Sequence, residues 1–238
     1  MIKRWSVVSG FHNIGQSMSR AKENLIDAKD EVTTAKVLPK PRKRRANTEA
    51  RHEDKRLLIL KTAAELFATL GYEATSLDTI AEHVGIHKAT LYHYITNKES
   101  ILYECLQLSF KDLDLVVEEM KNKEICVFDR MKKFAVELAL AQNNVFGRCL
   151  VLVGARPLDI GSGNEIKAFQ RRLDLAVRAL LEEGIADGKF KPCSAGLFSA
   201  MLFGSLNWVP RWYQEGHGKT IPEIADFFMT TLIEGIKA

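Results

Sequence analysis

The chemically richest stretch of the chain lies between residues 87 and 94. Within eight positions it concentrates hydrogen-bond donors, acceptors and aromatic rings, namely His87, Lys88, Thr90, Tyr92, His93 and Tyr94. Side chains of these types can reach base edges and phosphates from a helix in a DNA major groove. A surface helix without such a role more often carries Glu, Lys and Gln. The stretch therefore predicts contact with double-stranded DNA, and the alternative is a plain helical hairpin at the surface.

The elements that must position these side chains form a predicted helix-turn-helix over about residues 77–96. Residues 77–83 fit a helix of two turns, residues 84–86 interrupt it at a glycine, and residues 87–95 fit a second short helix. A glycine turn of this kind sets two helices at roughly 90–120°. The apolar side chains expected to fix the angle are Ala81, Val84, Ile86, Leu91 and Ile95.

Several helix boundaries carry local signals. Thr75 or Ser76 can cap the first helix of the motif, because a side-chain oxygen there accepts from an unpaired backbone N–H. Asn97 can cap a long helix that is expected to run over 98–121 in the same way. Pro210 lacks a backbone N–H, so it is expected to end or kink the penultimate helix.

A basic run upstream is a second candidate for DNA contact. Lys40-Pro41-Arg42-Lys43-Arg44-Arg45 holds five cations in six residues, and residues 1–56 carry a net charge of +7 against −3 for residues 57–238. Such a run repels itself and stays extended, with Pro39 and Pro41 opposing a helix. It gains free energy by displacing counterions from DNA phosphate. The alternative interpretation is a solvated linker.

The rest of the chain predicts an all-α protein. From Asp54 onward apolar residues recur at steps of three and four, and no strand-like alternation of any length is visible. This spacing predicts about nine helices. We divide the chain into a basic, flexible N-terminal extension at 1–53, a three-helix DNA-binding domain at 54–114 and a helical C-terminal domain at 115–238. The sequence leaves open what residues 1–39 do and whether Met18 is the true start.

A longer pattern surrounds the predicted motif. It reads Ala63-Ala64-x-Leu66-Phe67, then Gly71-Tyr72-x-x-Thr75-Ser76-Leu77, then Gly85-Ile86-x-Lys88-Ala89-Thr90-Leu91-Tyr92-His93-Tyr94, then Asn97-Lys98-Glu99-x-Ile101-Leu102. Over about 50 residues this pattern closely resembles the DNA-binding domain of the TetR family of bacterial transcriptional regulators. The resemblance implies an all-α homodimer on a pseudo-palindromic operator, with a C-terminal domain that dimerises and binds a small effector. We predict a cytoplasmic, nucleoid-associated repressor that the effector releases, because occupying a promoter is the simplest output; an activator is the alternative.

The resemblance assigns roles to individual residues. Tyr92 and Lys98 match positions that contact phosphates, and Thr75 and Ser76 match a helix N-terminus that does the same. The base-reading positions correspond to Lys88, Ala89 and His93. The complete predicted DNA-binding set is Thr75, Ser76, His87, Lys88, Ala89, Thr90, Tyr92, His93, Tyr94 and Lys98, with Arg42, Lys43, Arg44 and Arg45 from the basic run.

The C-terminal half is similar to a TetR branch whose members often sense acyl-coenzyme A thioesters. The similarity lies in residues 183–190, 204–208 and 211–213. It implies an apolar pocket flanked by cations and aromatic rings, and the candidate effector-binding residues are Arg148, Arg171, Trp208, Arg211 and Trp212. The alternative places the tryptophans in an interface core and the arginines in surface ion pairs. Two apolar faces on each of the last two helices predict a four-helix dimer interface.

Other classes of function find little support in the sequence. Gly161-Ser162-Gly163 follows no strand, so it is not a nucleophile elbow, and Gly85 separates His83 from His87 on different helices. We therefore expect no catalytic residues, no metal and no cofactor. The sequence contains no run of about 18 apolar residues, so we expect no membrane span. A rival that keeps the fold is a DNA-bound architectural or cell-division protein without an effector; an enzyme is the remote alternative.

Overall fold

Ten helices make up the described part of the chain. The computed structural model describes residues 43–111, 113–216 and 218–238, with side chains described from Glu49 onward except at 112 and 217. The helices are α1 Lys43–Leu70, α2 Leu77–Val84, α3 Lys88–Leu91, α4 Lys98–Leu108, α5 Leu113–Glu119, α6 Val127–Asn143, α7 Val145–Leu152, α8 Ile160–Ala186, α9 Ala195–Trp212 and α10 Ile221–Ile236. Within these residues the only β-type pairing is a single bridge, Phe190 to Lys237. The all-α prediction is confirmed.

Helix α1 begins earlier than the sequence pattern indicated. It starts at Lys43, whereas the prediction placed its start at Asp54 and left residues 43–53 in a flexible extension. The prediction of an extended basic run is therefore wrong from Lys43 onward. Residues 43–53 contain good helix formers and no proline. Because the later part of α1 is already stabilised by packing, the helix propagates towards its N-terminus through these residues. Residues 1–42 lie outside the described residues.

The helix predicted over 98–121 is divided into α4 and α5. Helix α4 ends at Leu108, where the buried Ser109 hydroxyl donates to the Leu106 carbonyl at 2.6 Å. A serine that bonds its own preceding turn competes with helix propagation. The ring of Phe110 then stacks on Phe169 of α8 at a centroid distance of 3.9 Å. This tertiary contact holds the break in place.

Helix α9 does not end at Pro210. Helix α9 continues to Trp212, where the Tyr213 N–H donates to the Val209 carbonyl at 2.9 Å. Pro210 lies within the last turn and is buried, so its missing N–H costs one intrahelical bond only. The prediction that the helix ends at Pro210 is therefore wrong by two residues.

The core runs without interruption from the N-terminal helices into the C-terminal ones. Buried side chains of α1 and α4 and those of the C-terminal helices belong to a single cluster. Two side-chain links also join α1 to α4: an ion pair from Arg56 to Glu104 at 2.6 Å and a bond from the Cys105 thiol to the Leu60 carbonyl at 3.3 Å. No helix among the described residues combines the length and hydropathy needed to cross a membrane.

A buried arginine of α6 attaches the loop between α5 and α6 to helix α8. The Arg130 side chain is 4% exposed and makes a two-pronged contact with the Glu183 carboxylate. It also donates to the carbonyls of Met120 and Ile125, each at 2.9 Å. The pKa of the Glu183 carboxyl is lowered, first by its hydrogen bond from Arg130. One buried guanidinium therefore bonds to a partly exposed carboxylate and to two loop carbonyls.

Glycine at position 184 allows a close approach at the end of α8. A Cβ there would lie 2.2 Å from ring atoms of Phe190, which is itself 2% exposed. Phe190 packs edge-on against Phe128 of α6 at 5.1 Å. The segment 183–190, noted for its family resemblance, thus has a packing role.

Candidate DNA-binding surface and ligand cavity

The predicted helix-turn-helix is formed by α2, the turn at Gly85 and α3. The Ser76 hydroxyl caps α2 by accepting from the Thr79 N–H at 3.0 Å. Gly85 ends α2 with φ 71° and ψ 41°, a left-handed conformation that a glycine adopts without steric cost. The Ile86 N–H then donates back to the Ala81 carbonyl at 3.0 Å. This turn redirects the chain into the recognition segment.

The recognition segment is shorter as a regular helix than predicted. Helix α3 covers Lys88–Leu91 only, and residues 92–94 continue as turns rather than as helix to Ile95. Leu91 is fully buried and Ile95 is 6% exposed, so both hold the segment against the core as the sequence indicated. The His87 side chain makes no capping bond, which leaves the start of α3 weaker than the start of α2.

Five of the predicted contact side chains in this segment are exposed and two are half-buried. The exposed side chains are His87, Lys88, Ala89, Tyr92 and His93, and the half-buried ones are Thr90 and Tyr94. Tyr94 was predicted to be available for DNA contact, but its ring stacks on His52 of α1 at a centroid distance of 4.5 Å. That contact ties the recognition segment to the first half of α1.

Lys88 is held by a partner that sequence reasoning missed. Its ammonium lies 2.8 Å from Oδ2 of Asp78 on α2, and both side chains are about half exposed or more. The pKa of Lys88 is raised, first by this hydrogen bond. The interaction preorganises the side chain across the turn, but a base or phosphate must compete with Asp78 for it. Asp78 gave no separate signal because an acidic residue in a first helical turn is common.

Thr75 is placed differently from its predicted role. It is fully buried, and its hydroxyl donates to the Gly71 carbonyl at 2.8 Å while its N–H donates to the Tyr72 carbonyl at 3.3 Å. The Thr75 side chain therefore shapes the entry to α2 and does not face a phosphate. Ser76 remains exposed at the helix N-terminus.

Lys98 is anchored at the start of α4. Its ammonium donates to the Tyr72 carbonyl at 3.0 Å and lies 4.2 Å from the centroid of the Tyr72 ring. An ammonium carries three donors, so this arrangement leaves donors for a phosphate. Asn97 caps α4 in a reciprocal pair with Ser100, which fixes the backbone that carries Lys98.

We expect Lys98→Met to weaken DNA binding equally for all sequences. The change removes one phosphate-type contact, so the slope of log affinity against log salt should fall by about one. The slope is measured by fluorescence anisotropy with operator and unrelated duplexes. Lys167→Met, at an exposed lysine of α8, is the control and should leave the slope unchanged. A loss confined to one sequence contradicts the phosphate role.

The basic run is divided by the boundary of the described residues. Lys43, Arg44 and Arg45 lie in the first turn of α1, and Arg42 lies outside the described residues. At 1.5 Å per residue, Arg45 precedes His52 by about 10 Å along the helix axis. Helix α1 therefore carries both the basic turn and His52, whose ring stacks on Tyr94 of the recognition segment.

A cavity of about 510 Å³ lies among the C-terminal helices and the end of α4. Its apolar lining comes from residues such as Phe110, Leu113, Leu138, Leu173 and Phe203, and its polar lining from Gln142, Asp174, Arg178, Ser199, Asn207 and Arg211. These residues are scattered over several helices and the α4–α5 connection, so no spacing in the sequence brings them together. Volume and lining resemble those of small-molecule sites, which span about 300–1,000 Å³.

Only one of the five predicted effector residues lines this cavity. Arg211 does so, whereas Arg148, Arg171, Trp208 and Trp212 do not. Trp208 and Trp212 are 61% and 47% exposed on α9. The Arg211 guanidinium lies over the Trp208 ring at 5.2 Å. A residue that lines the cavity therefore contacts an exposed residue outside it. The structure does not bring the five residues together around this cavity: positions 208, 211 and 212 point to different sides of α9, and Arg148 and Arg171 lie on α7 and α8 outside the lining.

Comparison with known proteins decides the family. Residues 59–105 match the family described as "Bacterial regulatory proteins, tetR family", and residues 127–236 match the one described as "Tetracyclin repressor-like, C-terminal domain". The two matches together span more than half of the chain. The protein belongs to the TetR family. It is a DNA-binding transcriptional regulator and not an enzyme.

Individual relatives of this TetR-family regulator agree with that assignment. The HTH-type transcriptional repressor KstR2 of Rhodococcus jostii (strain RHA1) is 25% identical over 192 residues, covering 76% of this chain and 91% of that protein. The TetR-family regulator PfmR from Thermus thermophilus is 28% identical with a TM-score of 0.68, covering 76% of this chain and 99% of that chain. AibR, solved with isovaleryl coenzyme A and operator DNA, shares the fold at 22% identity and a TM-score of 0.66, covering 75% and 98%.

Proposed function

We propose that this regulator is a homodimeric repressor that leaves its operator when a small molecule occupies the cavity. The observation that carries the proposal is helix α4, which joins the two sites. It begins at Lys98, beside the recognition segment, and just beyond its end Ser109 and Phe110 line the cavity. A ligand that displaces Phe110 therefore acts directly on the element that carries the DNA-facing lysine.

The proposed DNA contacts follow from which side chains are exposed. Lys88, Ala89 and His93 read bases, while Tyr92, Lys98 and the N-terminus of α2 at Ser76 hold phosphates. His87 and Thr90 complete the contact set, and Tyr94 positions it from its stack on His52. The basic start of α1 adds sequence-independent attraction to the duplex. Two copies would place two recognition segments in successive major grooves of a pseudo-palindrome.

The proposed dimer face lies on α9 and α10. Leu197, Met201 and Trp208 follow one another on α9 at helical spacing and are 60–69% exposed, and Phe227 on α10 is 58% exposed. Large apolar side chains exposed together mark an interaction site rather than ordinary surface. Gly204 lies on the same face with nothing within 4 Å of where its Cβ would be, so a helix of a second copy can approach closely. A four-helix interface follows.

Two contacts between α4 and α8 can transmit occupancy to the DNA surface. The Asp159 N–H at the start of α8 donates to Glu99 at 2.5 Å, and the Tyr103 hydroxyl bonds to Glu165. Helix α8 also supplies Gln170, Leu173 and Asp174 to the cavity lining. Moving the balance between a DNA-fitting and a non-fitting conformer from 1:99 to 99:1 needs about 5.5 kcal/mol of differential affinity.

An acyl-coenzyme A thioester is the proposed effector class. The structural neighbour AibR has been solved in complex with isovaleryl coenzyme A and operator DNA. In the present chain the apolar lining suits an acyl group, and the exposed Arg211 at the rim suits a phosphorylated head outside the cavity. The proposed location is the bacterial cytoplasm, on nucleoid DNA. The rival without an effector, an architectural or cell-division protein, offers no use for the cavity.

The test uses the full chain bound to operator selected from genomic fragments. Acyl-coenzyme A compounds are added in a mobility-shift assay, and we expect release of the DNA. Ala141→Phe, which adds bulk at a half-buried lining position of α6 away from the proposed dimer face, should still bind operator but resist release. Ala179→Phe, at an exposed position of α8 outside the lining, should respond like the unchanged protein. Equal release from both variants would contradict the cavity as effector site.

A further inference from the structure

The cavity contains one deeply buried polar group without a partner. Gln142 of α6 is 7% exposed, and its Oε1 has no hydrogen-bond donor among the described residues. Its Nε2 donates to Oδ1 of Asn207 on α9 at 2.6 Å. Both residues line the cavity. The oxygen itself is occluded, so a ligand group reaches it only by displacing neighbouring lining atoms; a group that donates the missing hydrogen bond is favoured there, because an unpaired buried amide oxygen is destabilising.

Two of the three charged residues that line the cavity neutralise each other. Asp174 and Arg178 form an ion pair with each other at 2.8 Å, and Asp174 also accepts from the Ser199 hydroxyl. Arg211 is exposed, donates to the Asn207 backbone carbonyl at 3.0 Å and lies over Trp208. Gln142 and Asn207 therefore present neutral amides inside an apolar lining. A carboxylate placed against the Gln142 oxygen would meet an acceptor and be repelled.

The identity of the missing partner follows from the two orientations of an amide. If Oε1 of Gln142 is unpaired, the ligand must donate; if the amides are turned so that Nε2 is unpaired, the ligand must accept. A hydroxyl group satisfies either arrangement, because it donates one hydrogen bond and accepts others. In the observed orientation, in which Nε2 donates to Asn207, an ether, a carboxylate and a hydrocarbon all lack the donor that Oε1 needs, and this orientation carries the inference.

We infer that the ligand of this cavity carries a hydroxyl group on an otherwise apolar body, and that this hydroxyl binds the Gln142 amide. The inference rests on the proposed function, since it describes the chemistry of the same effector site. The body is either a free hydroxylated compound or the acyl part of a coenzyme A thioester whose head stays outside near Arg211. Both sources share the hydroxyl-bearing apolar group that the cavity selects.

Two matched ligand sets distinguish the sources. The first contains naphthol, its methyl ether and naphthoic acid; the second contains a hydroxyacyl-coenzyme A and the acyl-coenzyme A of the same chain length. Affinities are measured on the full chain by isothermal titration calorimetry. We expect the hydroxylated member of at least one set to bind about tenfold more tightly than its relatives, which corresponds to about 1.4 kcal/mol.

Gln142→Leu should abolish this preference while retaining the binding of the non-hydroxylated compounds. The control is Asn143→Leu, the next residue of α6, whose buried Oδ1 is also unpaired but which does not line the cavity. It should keep the preference, so a general effect of losing a buried amide is separated from a ligand contact. Circular dichroism of both variants verifies that they fold.

The inference is overturned if no hydroxylated compound binds, if the carboxylate or plain acyl compound binds as tightly, or if Gln142→Leu keeps the preference. Its failure is distinguishable from failure of the proposed function. Release of operator by a compound without a hydroxyl would leave effector-controlled repression intact and remove only the hydroxyl assignment. Binding of hydroxylated compounds without any effect on operator binding would leave the hydroxyl assignment intact and contradict effector-controlled repression.

Discussion

Replacing Leu197 and Met201 together by Asp is expected to produce a monomer that has largely lost operator binding. Both side chains are 60–69% exposed on one face of α9, and two carboxylates per copy would be buried without partners at the proposed dimer interface. A monomer engages a single half-site and loses the effective concentration that links two binding events. Operator affinity should therefore fall by about 10²- to 10⁴-fold.

Analytical ultracentrifugation measures the oligomeric state and fluorescence anisotropy the affinity. Leu115→Asp is a matched control, because Leu115 on α5 is 69% exposed, as is Leu197, but lies outside the proposed interface. It should remain dimeric and bind operator normally. A double variant that stays dimeric, or a monomer with full operator affinity, contradicts the assignment of α9 to the interface.

Replacing Arg130 by Met is expected to lower the free energy of unfolding by about 3 kcal/mol. The methionine can fill the space of the aliphatic stem, but Glu183 and the carbonyls of Met120 and Ile125 lose their donors. Glu183 is 25% exposed and can recover part of its hydration, which places the effect at the lower end for a broken buried pair. Urea denaturation at neutral pH measures the change.

The same ion pair predicts a pH dependence with a definite sign. Arg130 lowers the pKa of Glu183 below its ordinary value of 4.5, so its stabilisation is fully present above that value and disappears as the pH falls through the lower folded value. The difference in stability between the unchanged protein and Arg130→Met should therefore shrink below about pH 4.5.

Arg172→Met is the control for this substitution. Arg172 also pairs with a carboxylate, Asp114 at 2.9 Å, but both side chains are at least 60% exposed. An exposed pair contributes about 1 kcal/mol or less. Equal destabilisation by the two substitutions would show that burial does not set the strength of the Arg130 contact.

Local sequence patterns were sufficient for the DNA-binding half. The capping residues Ser76 and Asn97, the glycine that needs a left-handed conformation at 85, and the apolar positions 91 and 95 act within a few residues of one another. Because their effects depend on spacing along the chain, the helix-turn-helix could be predicted from the sequence. The exposed recognition side chains followed from the same periodicity.

Tertiary contacts decided what the patterns could not. The break between α4 and α5 depends on Phe110 stacking on Phe169, and Tyr94 is withdrawn from free contact by His52, a residue more than 40 positions away. Thr75 was assigned to phosphate, yet its hydroxyl is used by the backbone of the preceding turn. Each of these outcomes depends on which group occupies the neighbouring space.

The sequence by itself determined the all-α class, the family and the position of the DNA-reading segment, because these depend on short-range periodicity and caps. Only the tertiary structure decided which side chains enclose the cavity. Gln142, Asp174 and Asn207 come from three helices, and their contact depends on how those helices pack. The effector site is therefore a product of long-range packing, which the spacing along the chain does not encode.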